Sequence, residues 1–297
     1  PLSAVYSIIF EIRKFLSYLK TKKKFPIPVI CVGNIYLGGT GKTPISIEIA
    51  KELKLRKKKP VIIKKYYKNQ YDEHRLIIQK INAMILNKNR IHAIEEAEKN
   101  DFDVVVLDDG FQDYSIKKNL NIICFHSNQS IGNGLVLPSG PLRESLGSLS
   151  KAHIVIINGN KNDILEKKIL DISNNIKIYY SKYLPSNIEQ FKNKKLFAFA
   201  GIGNPNNFFD LLIKNNLNIQ KKIAFPDHYK FKKSEIQKMI DESKNNNLKL
   251  VTTEKDYLRI KDYGLKDVEI VKVELEVIEK KLFLNEILNY IWLNQLN

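Results

Sequence analysis

The sequence of 297 residues contains little cysteine and no long apolar run that is free of charge. Its two cysteines, Cys31 and Cys124, lie inside apolar, strand-like runs and show neither a disulfide framework nor a metal-ligand spacing. This pattern favours a reducing cytosol and places both thiols in the core. No stretch approaches the roughly 18 uncharged apolar residues of a spanning helix, which excludes a membrane-spanning segment. A content of 43% hydrophobic and 10% aromatic residues excludes a disordered chain.

Acidic residues are scarce relative to basic ones. The chain has 49 Lys and Arg against 32 Asp and Glu, which gives a formal net charge of +17. Sixteen of the basic residues but only three of the acidic ones lie in residues 1–70, so the excess is concentrated near the N-terminus. Such a surface fits an anionic partner, whether nucleic acid, a membrane surface or a phosphorylated substrate.

Residues 1–24 are predicted to form an amphipathic basic helix. Apolar side chains from Val5 to Leu19 recur at helical spacing, and the segment ends in a run of lysines. A secretory signal has the reverse order, with its charges before the apolar stretch. Two interpretations have equal weight: a helix packed on its own domain, and an interfacial anchor whose lysines face anionic lipid.

Strand-like and helix-like patterns alternate along the rest of the chain, which is typical of an α/β fold. Short, nearly continuous runs of Val and Ile predict a parallel sheet covered on both faces. The first group of predicted strands covers residues 28–33, 60–65, 103–109, 121–125 and 153–158, with helices at 44–57 and 91–99. The second group covers residues 195–201, 220–225, 249–253 and 268–274, followed by a closing helix at 280–296.

A glycine loop follows the first predicted strand and opens a helix. It is formed by Gly38, Gly39, Thr40, Gly41, Lys42 and Thr43. In this context glycines let backbone N–H groups wrap phosphates, Lys42 reaches the β and γ phosphates, and Thr43 can ligate Mg²⁺. The strict phosphate-loop pattern has glycine at the position that Tyr36 occupies here. A simple helix-capping turn is disfavoured, because it explains neither the Lys-Thr pair nor the flanking elements.

The predicted strand at 103–109 delivers two carboxylates, Asp108 and Asp109, to its C-terminal end. In nucleotide enzymes an acidic residue at this position meets Mg²⁺ or its waters. A strand that ends in Asp-Asp-Gly is as often an ordinary turn. Together with the glycine loop, the metal interpretation is the better one, without a choice between the two residues.

The length and the patterns together favour two lobes behind the N-terminal helix. A polar stretch at 173–188, with a joint at 181–185, separates the two groups of strands. We therefore predict a P-loop NTPase-like parallel-sheet lobe over residues 25–180. A smaller α/β lobe is expected over 181–297, closing over the active-site cleft.

Several further strings resemble the tetraacyldisaccharide 4′-kinase family of lipid A biosynthesis, and they occur in the same order over nearly the whole chain. They are Val32 to Ile35 leading into the glycine loop, Leu107 to Gln112, Gly132 to Gly134, Leu137 to Glu144, Phe199 to Pro205, Phe225 to Tyr229 and Thr252 to Asp256. The glycine loop is shared with many ATPases. The strings Leu-Pro-x-Gly-Pro-Leu-Arg-Glu and Phe-Pro-Asp-His-Tyr are far more specific.

The resemblance implies transfer of the γ-phosphate of ATP, with Mg²⁺, to the 4′-hydroxyl of tetraacyldisaccharide 1-phosphate. It also implies a peripheral location at the cytoplasmic face of a bacterial inner membrane, which agrees with a basic amphipathic N-terminal helix. The expected partners are the acylated disaccharide phosphate and the anionic membrane surface. No protein partner is evident.

The resemblance also implies roles for residues outside the glycine loop. Asp72, next to Glu73, matches a Gly-Asp-Glu-Pro-like motif whose Asp works with the His of the second lobe, here His228. An Asp oriented by His228 is a reasonable base for the hydroxyl proton. Taken alone, Asp72 reads as a first-turn helix residue and His228 as a loop histidine.

Four more residues occupy matching positions. Arg143, one of six arginines, lies in the long segment 126–152 and offers a planar fork for a phosphate, while Glu144 is a candidate for the metal or nucleotide site. A surface ion pair is the alternative for these two. Gln112 and Arg90 match as substrate or phosphate residues without a specified role, and Glu73 is expected in the same group.

The chain departs from the family pattern near these residues. The family's Ser-Arg-Gly-Tyr-Gly-like segment is replaced by residues 64–68, in which Tyr66 and Lys68 stand in place of glycines. Tyr71 and His74 flank the acidic pair, and Asp113 replaces a usual His.

Other functions remain open on the residues alone. One is a P-loop NTPase or kinase that acts on a soluble substrate, with the N-terminal helix as part of the core. Another is an ATP-binding membrane regulator with lapsed kinase activity, which the altered segment at 64–74 would permit. Nucleic-acid binding fits the charge but is ranked last, because no aromatic-basic platform, zinc spacing or recognition helix is present.

Overall fold

The computed structural model describes residues 21–66, 71–227 and 229–292, which form two compact units. The larger unit holds described residues 21–66, 81–182 and 276–292, and the smaller one holds 71–80, 183–227 and 229–275. Most of the predicted N-terminal helix lies outside the described residues. Residues 21–24 of that range are not helical, and Lys23 forms an isolated β-bridge with Ile116.

The larger unit is built on an eight-stranded sheet with the order β12-β7-β6-β5-β1-β4-β2-β3. All pairs from β7 to β3 are parallel. The strands are β1 (Val29–Gly33), β2 (Pro60–Lys65), β3 (Met84–Asn87), β4 (Val104–Asp108), β5 (Leu120–His126), β6 (Ile154–Asn158), β7 (Lys177–Pro185) and β12 (Val273–Val277). The helices of this unit are α1 (Lys42–Leu55), α3 (Arg90–Lys99), α4 (Asp163–Leu170) and α8 (Lys280–Trp292), and helix α2 (Tyr71–Ile81) lies between β2 and β3 in the sequence.

The apolar strands explain this architecture. Every residue of β1, β4 and β6 is buried, as a parallel sheet covered on both faces requires. Cys31 on β1 and Cys124 on β5 are both free and buried, and burial raises the pKa of each thiol. The prediction of an α/β fold with a covered parallel sheet is confirmed.

The C-terminal helix α8 belongs to the larger unit, whereas the expected smaller lobe ran from 181 to 297. Its buried residues include Phe283, whose ring lies 5.4 Å from that of Tyr179 on β7. Lys280 pairs with Glu48 at 2.8 Å and Glu52 at 2.6 Å on α1. Packing and charge together explain why the end of the chain returns to this unit.

The smaller unit is built on a four-stranded parallel sheet with the order β11-β10-β8-β9. Phenylalanine-rich clusters fill both faces of this sheet. Its strands are β8 (Lys195–Ala200), β9 (Asn218–Ala224), β10 (Lys249–Thr253) and β11 (Val268–Val271), and its helices are α5 (Pro205–Lys214), α6 (Lys233–Asn245) and α7 (Glu254–Ile260).

Helix α2 groups with the smaller unit up to Lys80, although its sequence lies inside the expected range 25–180 of the first lobe. Ion pairs to the segment around α7 account for this. Arg75 pairs with Asp262 at 2.7 Å, and Lys80 pairs with Glu254 at 2.7 Å. Charged side chains of α2 thus contribute to its packing in the smaller unit.

The polar stretch predicted as a joint is a strand. Residues 177–185 form β7, and the boundary between the units falls within it, after Lys182. Only Tyr179 and Ser181 of β7 are buried, and the other residues of the strand are partly or fully exposed, which gave the segment its polar character. Among the described residues, no helix has the length and apolar character needed to cross a membrane.

Candidate nucleotide-binding site

The glycine loop follows β1 and is held by two buried asparagines. The Asn34 side-chain amide donates to the Tyr36 carbonyl at 2.6 Å and to Thr40 Oγ1 at 2.9 Å. From the end of β6, the Asn158 amide donates to the Thr40 carbonyl at 2.7 Å. Neither asparagine was among the predicted site residues, although buried polar side chains after apolar strands are a usable signal.

The glycines give the loop its shape. Gly38 and Gly41 have φ of 118° and 87°, in the region that favours glycine, and Gly41 caps the start of α1. A Cβ added at Gly38 or Gly39 would meet no atom within 4 Å. The loop backbone is therefore open on this side, and the N-terminus of a 14-residue helix lies behind it.

Thr43 and Asp108 meet at the ends of α1 and β4. Thr43 Oγ1 donates to Asp108 Oδ2 at 2.8 Å, and Ser46 Oγ lies 3.4 Å from Asp108 Oδ1. The Asp108 side chain is fully buried. Both residues belong to the set that the sequence proposed for Mg²⁺, which also included Asp109 and Glu144.

Lys64 is a third member of this group that sequence reasoning did not include in the site. Its ammonium lies 2.7 Å from Asp108 Oδ2 and 3.4 Å from Thr43 Oγ1. Neighbouring strands explain the contact, because β2 pairs with β4 so that Lys64 stands opposite Asp108. The sequence did contain a signal for this ion pair, because Lys64 lies near the C-terminal end of the apolar strand β2 and Asp108 ends the apolar strand β4.

Asp109 faces two cations. Its Oδ1 lies 3.6 Å from Lys42 Nζ, and Arg143 Nη1 lies 3.0 and 3.1 Å from its two oxygens. Burial by itself raises the pKa of Asp109, but Lys42 and Arg143 together outweigh burial and hold this pKa below its ordinary value. Asp109 is therefore a carboxylate that fixes the lysine and arginine beside the loop.

The long segment 127–152 packs on the glycine loop through backbone hydrogen bonds, which places Arg143. Leu37 N–H donates to the Pro141 carbonyl at 2.8 Å, and Arg143 N–H donates to the Ile35 carbonyl at 2.7 Å. Arg90, at the start of α3, donates to the Asp109 carbonyl at 2.6 Å. Two of the predicted arginines thus converge on one aspartate.

Gln112 and Glu144 take different places. The Gln112 amide donates to the Asn34 carbonyl at 2.8 Å, so Gln112 supports the loop. Glu144 is fully buried, and its Oε2 accepts a hydrogen bond from the Tyr114 hydroxyl. Its Oε1 has no hydrogen-bond partner within the described part of the chain. One carboxylate oxygen is therefore left for a cation or another donor.

The smaller unit gathers a second set of charged residues at Asp72. Arg259 contacts Asp72 Oδ2 through Nε at 3.1 Å and Nη2 at 2.6 Å. Lys255 Nζ lies 3.0 Å from Glu73 Oε1 and 3.5 Å from Asp72 Oδ2. His228, the expected partner of Asp72, lies outside the described residues. Lys255 and Arg259 were not predicted, although Lys255 falls in one of the family-like strings.

The residues around Thr43 fit a magnesium ion. Within the described ranges, no three or more His, Cys, Asp and Glu side chains group as a metal site. Mg²⁺ does not need such a group, because one or two protein oxygens with waters and phosphates satisfy it. The convergence of the Thr43 hydroxyl and the Asp108 carboxylate at 2.8 Å supplies those oxygens.

A parallel sheet with a glycine loop between β1 and α1, and an acidic residue at the end of the adjacent β4, defines a P-loop nucleotide-binding protein. The family model for tetraacyldisaccharide-1-P 4′-kinase matches residues 1–291. The chain belongs to this family.

Relatives and a solved structure agree with that membership. A tetraacyldisaccharide 4′-kinase of Pelagibacter ubique is 39% identical over 289 residues, covering 95% of this chain and 91% of that protein. The Haemophilus influenzae protein of the same name is 32% identical, covering 94% of this chain and 88% of its own. The solved structure of LpxK from Aquifex aeolicus in complex with ATP has a TM-score of 0.76 at 22% identity and covers 98% of both chains. The last likeness establishes the shared fold.

Proposed function

We propose that this protein is an ATP-dependent kinase that transfers the γ-phosphate of ATP to the 4′-hydroxyl of tetraacyldisaccharide 1-phosphate, with Mg²⁺ as cofactor. The proposal rests mainly on the contact between the glycine loop and the end of β4. There Lys42 forms an ion pair with Asp109, and the Thr43 hydroxyl donates a hydrogen bond to Asp108. The names of the relatives support the choice of substrate. A soluble substrate or a lapsed kinase is not favoured by this membership.

The loop residues have separate roles in the proposed reaction. Backbone N–H groups of residues 38–43 and the Lys42 ammonium bind the phosphates. Thr43 and Asp108 would hold Mg²⁺, which supplies charge neutralisation at the phosphate oxygens when bound. Arg143, held against Asp109, offers its guanidinium to a phosphate oxygen. Asp109 keeps Lys42 and Arg143 in place.

Asp72 is the proposed proton acceptor, with His228 as its proposed partner. In the transfer, the 4′-oxygen forms a bond to the γ-phosphorus while the bond from that phosphorus to the ADP oxygen breaks. The hydroxyl proton moves to the Asp72 carboxylate. Because phosphoryl transfer depends mainly on positioning and charge, loss of Asp72 should lower turnover far more than ATP affinity.

The membrane location is also part of the proposal. An acylated, phosphorylated substrate resides in an anionic bilayer, and the basic residues near the N-terminus suit its surface. We place the protein as a peripheral enzyme at the cytoplasmic face of the inner membrane. Sedimentation with anionic vesicles, and none with neutral ones, would support this location.

A transfer assay tests the activity. The protein is incubated with γ-labelled ATP, Mg²⁺ and tetraacyldisaccharide 1-phosphate in detergent micelles, with Lys42→Ala as the matched blank. Label should enter the lipid with the wild type only, while both proteins melt at similar temperatures. A wild-type protein that binds ATP without labelling the lipid would contradict the proposal and favour a lapsed kinase or another acceptor.

A further inference from the structure

The carboxylate of Asp72 is buried and held by an arginine fork. Only 3% of the Asp72 side chain is exposed. Both Nε and Nη2 of Arg259 lie within hydrogen-bonding distance of Oδ2, at 3.1 and 2.6 Å. Two donors on one rigid plane restrict where this oxygen can lie more strongly than a single ammonium would.

Arg259 is itself fixed at its remaining nitrogen. Its Nη1 donates to the Gly201 carbonyl at 2.7 Å and to Asp256 Oδ1 at 2.7 Å. Asp256 is fully buried, and its Oδ2 accepts from the Gly201 N–H at 2.9 Å and from the Thr253 hydroxyl at 2.8 Å. Burial raises the pKa of Asp256, and Arg259 and the Gly201 N–H oppose that rise. The guanidinium therefore bridges two carboxylates and has little freedom to turn.

These anchors lie at the carboxyl edge of the smaller sheet. Gly201 follows β8, and Thr253 ends the neighbouring strand β10. From β8 the chain continues to β9 on one side, and from β10 to β11 on the other. Open α/β sheets bind ligands at such a switch point. In the smaller unit, the hydrogen bonds that link Gly201 and Asp256 to Arg259, and Arg259 to Asp72, begin at this switch point.

We propose that Arg259 is a positioning residue that fixes the carboxylate of Asp72 for the transfer reaction. The assignment rests on the proposed function, since it takes Asp72 as the proton acceptor. Arg259 acts through Asp72, and its own anchors at Gly201 and Asp256 belong to the sheet edge. Lys255 supports the same group less directly, because it lies nearer to Glu73 at 3.0 Å than to Asp72 at 3.5 Å.

A purely structural role is the competing explanation, and Arg75 provides the matched control. Arg75 also joins α2 to the segment around α7, through the Leu258 carbonyl at 3.0 Å and Asp262 at 2.7 Å. Its side-chain hydrogen bonds go to these two residues and to Tyr71, and not to Asp72. If Arg259 merely ties the helices together, Arg75→Met and Arg259→Met should affect the protein alike.

The experiment measures kcat, both KM values and the melting temperature for Arg259→Met, Arg259→Lys and Arg75→Met, each with Asp72 and with Asp72→Asn. For Arg259→Met we expect kcat to fall about 100-fold, the loss typical of a misplaced catalytic group, with KM for ATP within about twofold. Arg259→Lys keeps the charge without the fork, and should lose about tenfold while folding normally. Arg75→Met should keep kcat within about twofold.

The double variants decide the assignment. With Asp72→Asn already present, Arg259→Met should lower kcat by less than about threefold, because the group that it positions is gone. The proposal would be overturned if Arg259→Met lowered kcat by about 100-fold in the Asp72→Asn background as well. Equal effects of Arg259→Met and Arg75→Met on kcat would also overturn it. If Arg259→Met fails to fold, the same comparison with Arg259→Lys decides. Full activity of Asp72→Asn would overturn the role of Asp72 and the assignment of Arg259 with it.

Discussion

Replacing Lys64 by methionine is the sharpest test of the buried charges at the end of β4. The Lys64 ammonium lies 2.7 Å from Asp108 Oδ2, and the two side chains are 6% and 0% exposed. Methionine keeps most of the apolar stem but leaves the buried Asp108 carboxylate without the cation that contacts it. Removal of one partner of a buried ion pair typically costs about 3–5 kcal/mol. Hydrogen bonds from Thr43 and Ser46 remain, so we expect about 3 kcal/mol.

Urea denaturation of wild type and variant measures this difference directly. The control is Lys182→Met, which removes an ion pair to Glu276 at 3.2 Å between side chains that are 50% and 49% exposed. Such a surface pair contributes less than about 1 kcal/mol. If Lys64→Met loses no more free energy of unfolding than Lys182→Met, the argument from burial is wrong.

Magnesium provides a second measurement on the same variant. Because Thr43 and Asp108 are the proposed ligands, Mg²⁺ should bind the folded variant and replace the missing cation. We therefore expect Mg²⁺ to raise the melting temperature of Lys64→Met more than that of wild type. The absence of a shift in the melting temperature of Lys64→Met would contradict the proposed ligands.

Two further predictions concern the larger unit. Gly33→Ala should lower the free energy of unfolding by about 1–3 kcal/mol, because the new Cβ would lie 2.5 Å from Phe111 Cβ. The control is Gly39→Ala, whose new Cβ would meet no atom within 4 Å and should change the free energy of unfolding by less than about 0.5 kcal/mol. Similar losses for both variants would refute the packing argument. Burial lowers the pKa of His153 below its ordinary 6.5, and its Nδ1 accepts the Asn121 N–H at 2.9 Å. The unfolded chain then binds the proton more readily, so stability should fall as pH drops through 6.5. His153→Phe should flatten this loss between about pH 7.5 and about pH 5.5 in thermal melts, and an unchanged slope would show that another group is responsible.

Local patterns located strand β1, the glycine loop and helix α1 correctly in the chain. The strand, the glycine loop and the helix that begins at Lys42 are contiguous, so their chemistry is visible in a few residues of sequence. The apolar strand that ends at Asp108 is equally local. For the same reason the parallel sheet could be predicted, since each of its strands is a short apolar run. The roles of these residues stay predictions until they are tested.

The placement of segments was less predictable. Helix α2 and helix α8 each join the other unit from the one that the predicted lobe boundaries gave them. Their packing depends on ion pairs and ring contacts with residues far along the chain, such as Lys280 with Glu48. The joint predicted at 181–185 does contain the boundary between the units, but this boundary lies inside strand β7.

The sequence by itself determined that this protein has a phosphate loop on a parallel sheet, because loop, strands and helix starts are properties of adjacent residues. Only the tertiary structure decided which charges meet: Lys64 with Asp108 through the pairing of β2 with β4, and Arg259 with Asp72 across 187 positions of sequence. Strand order and helix packing bring such residues together, and no local periodicity carries that information. The charged residues that pair with Asp108 and Asp72 in the candidate site are therefore distant from them in the sequence.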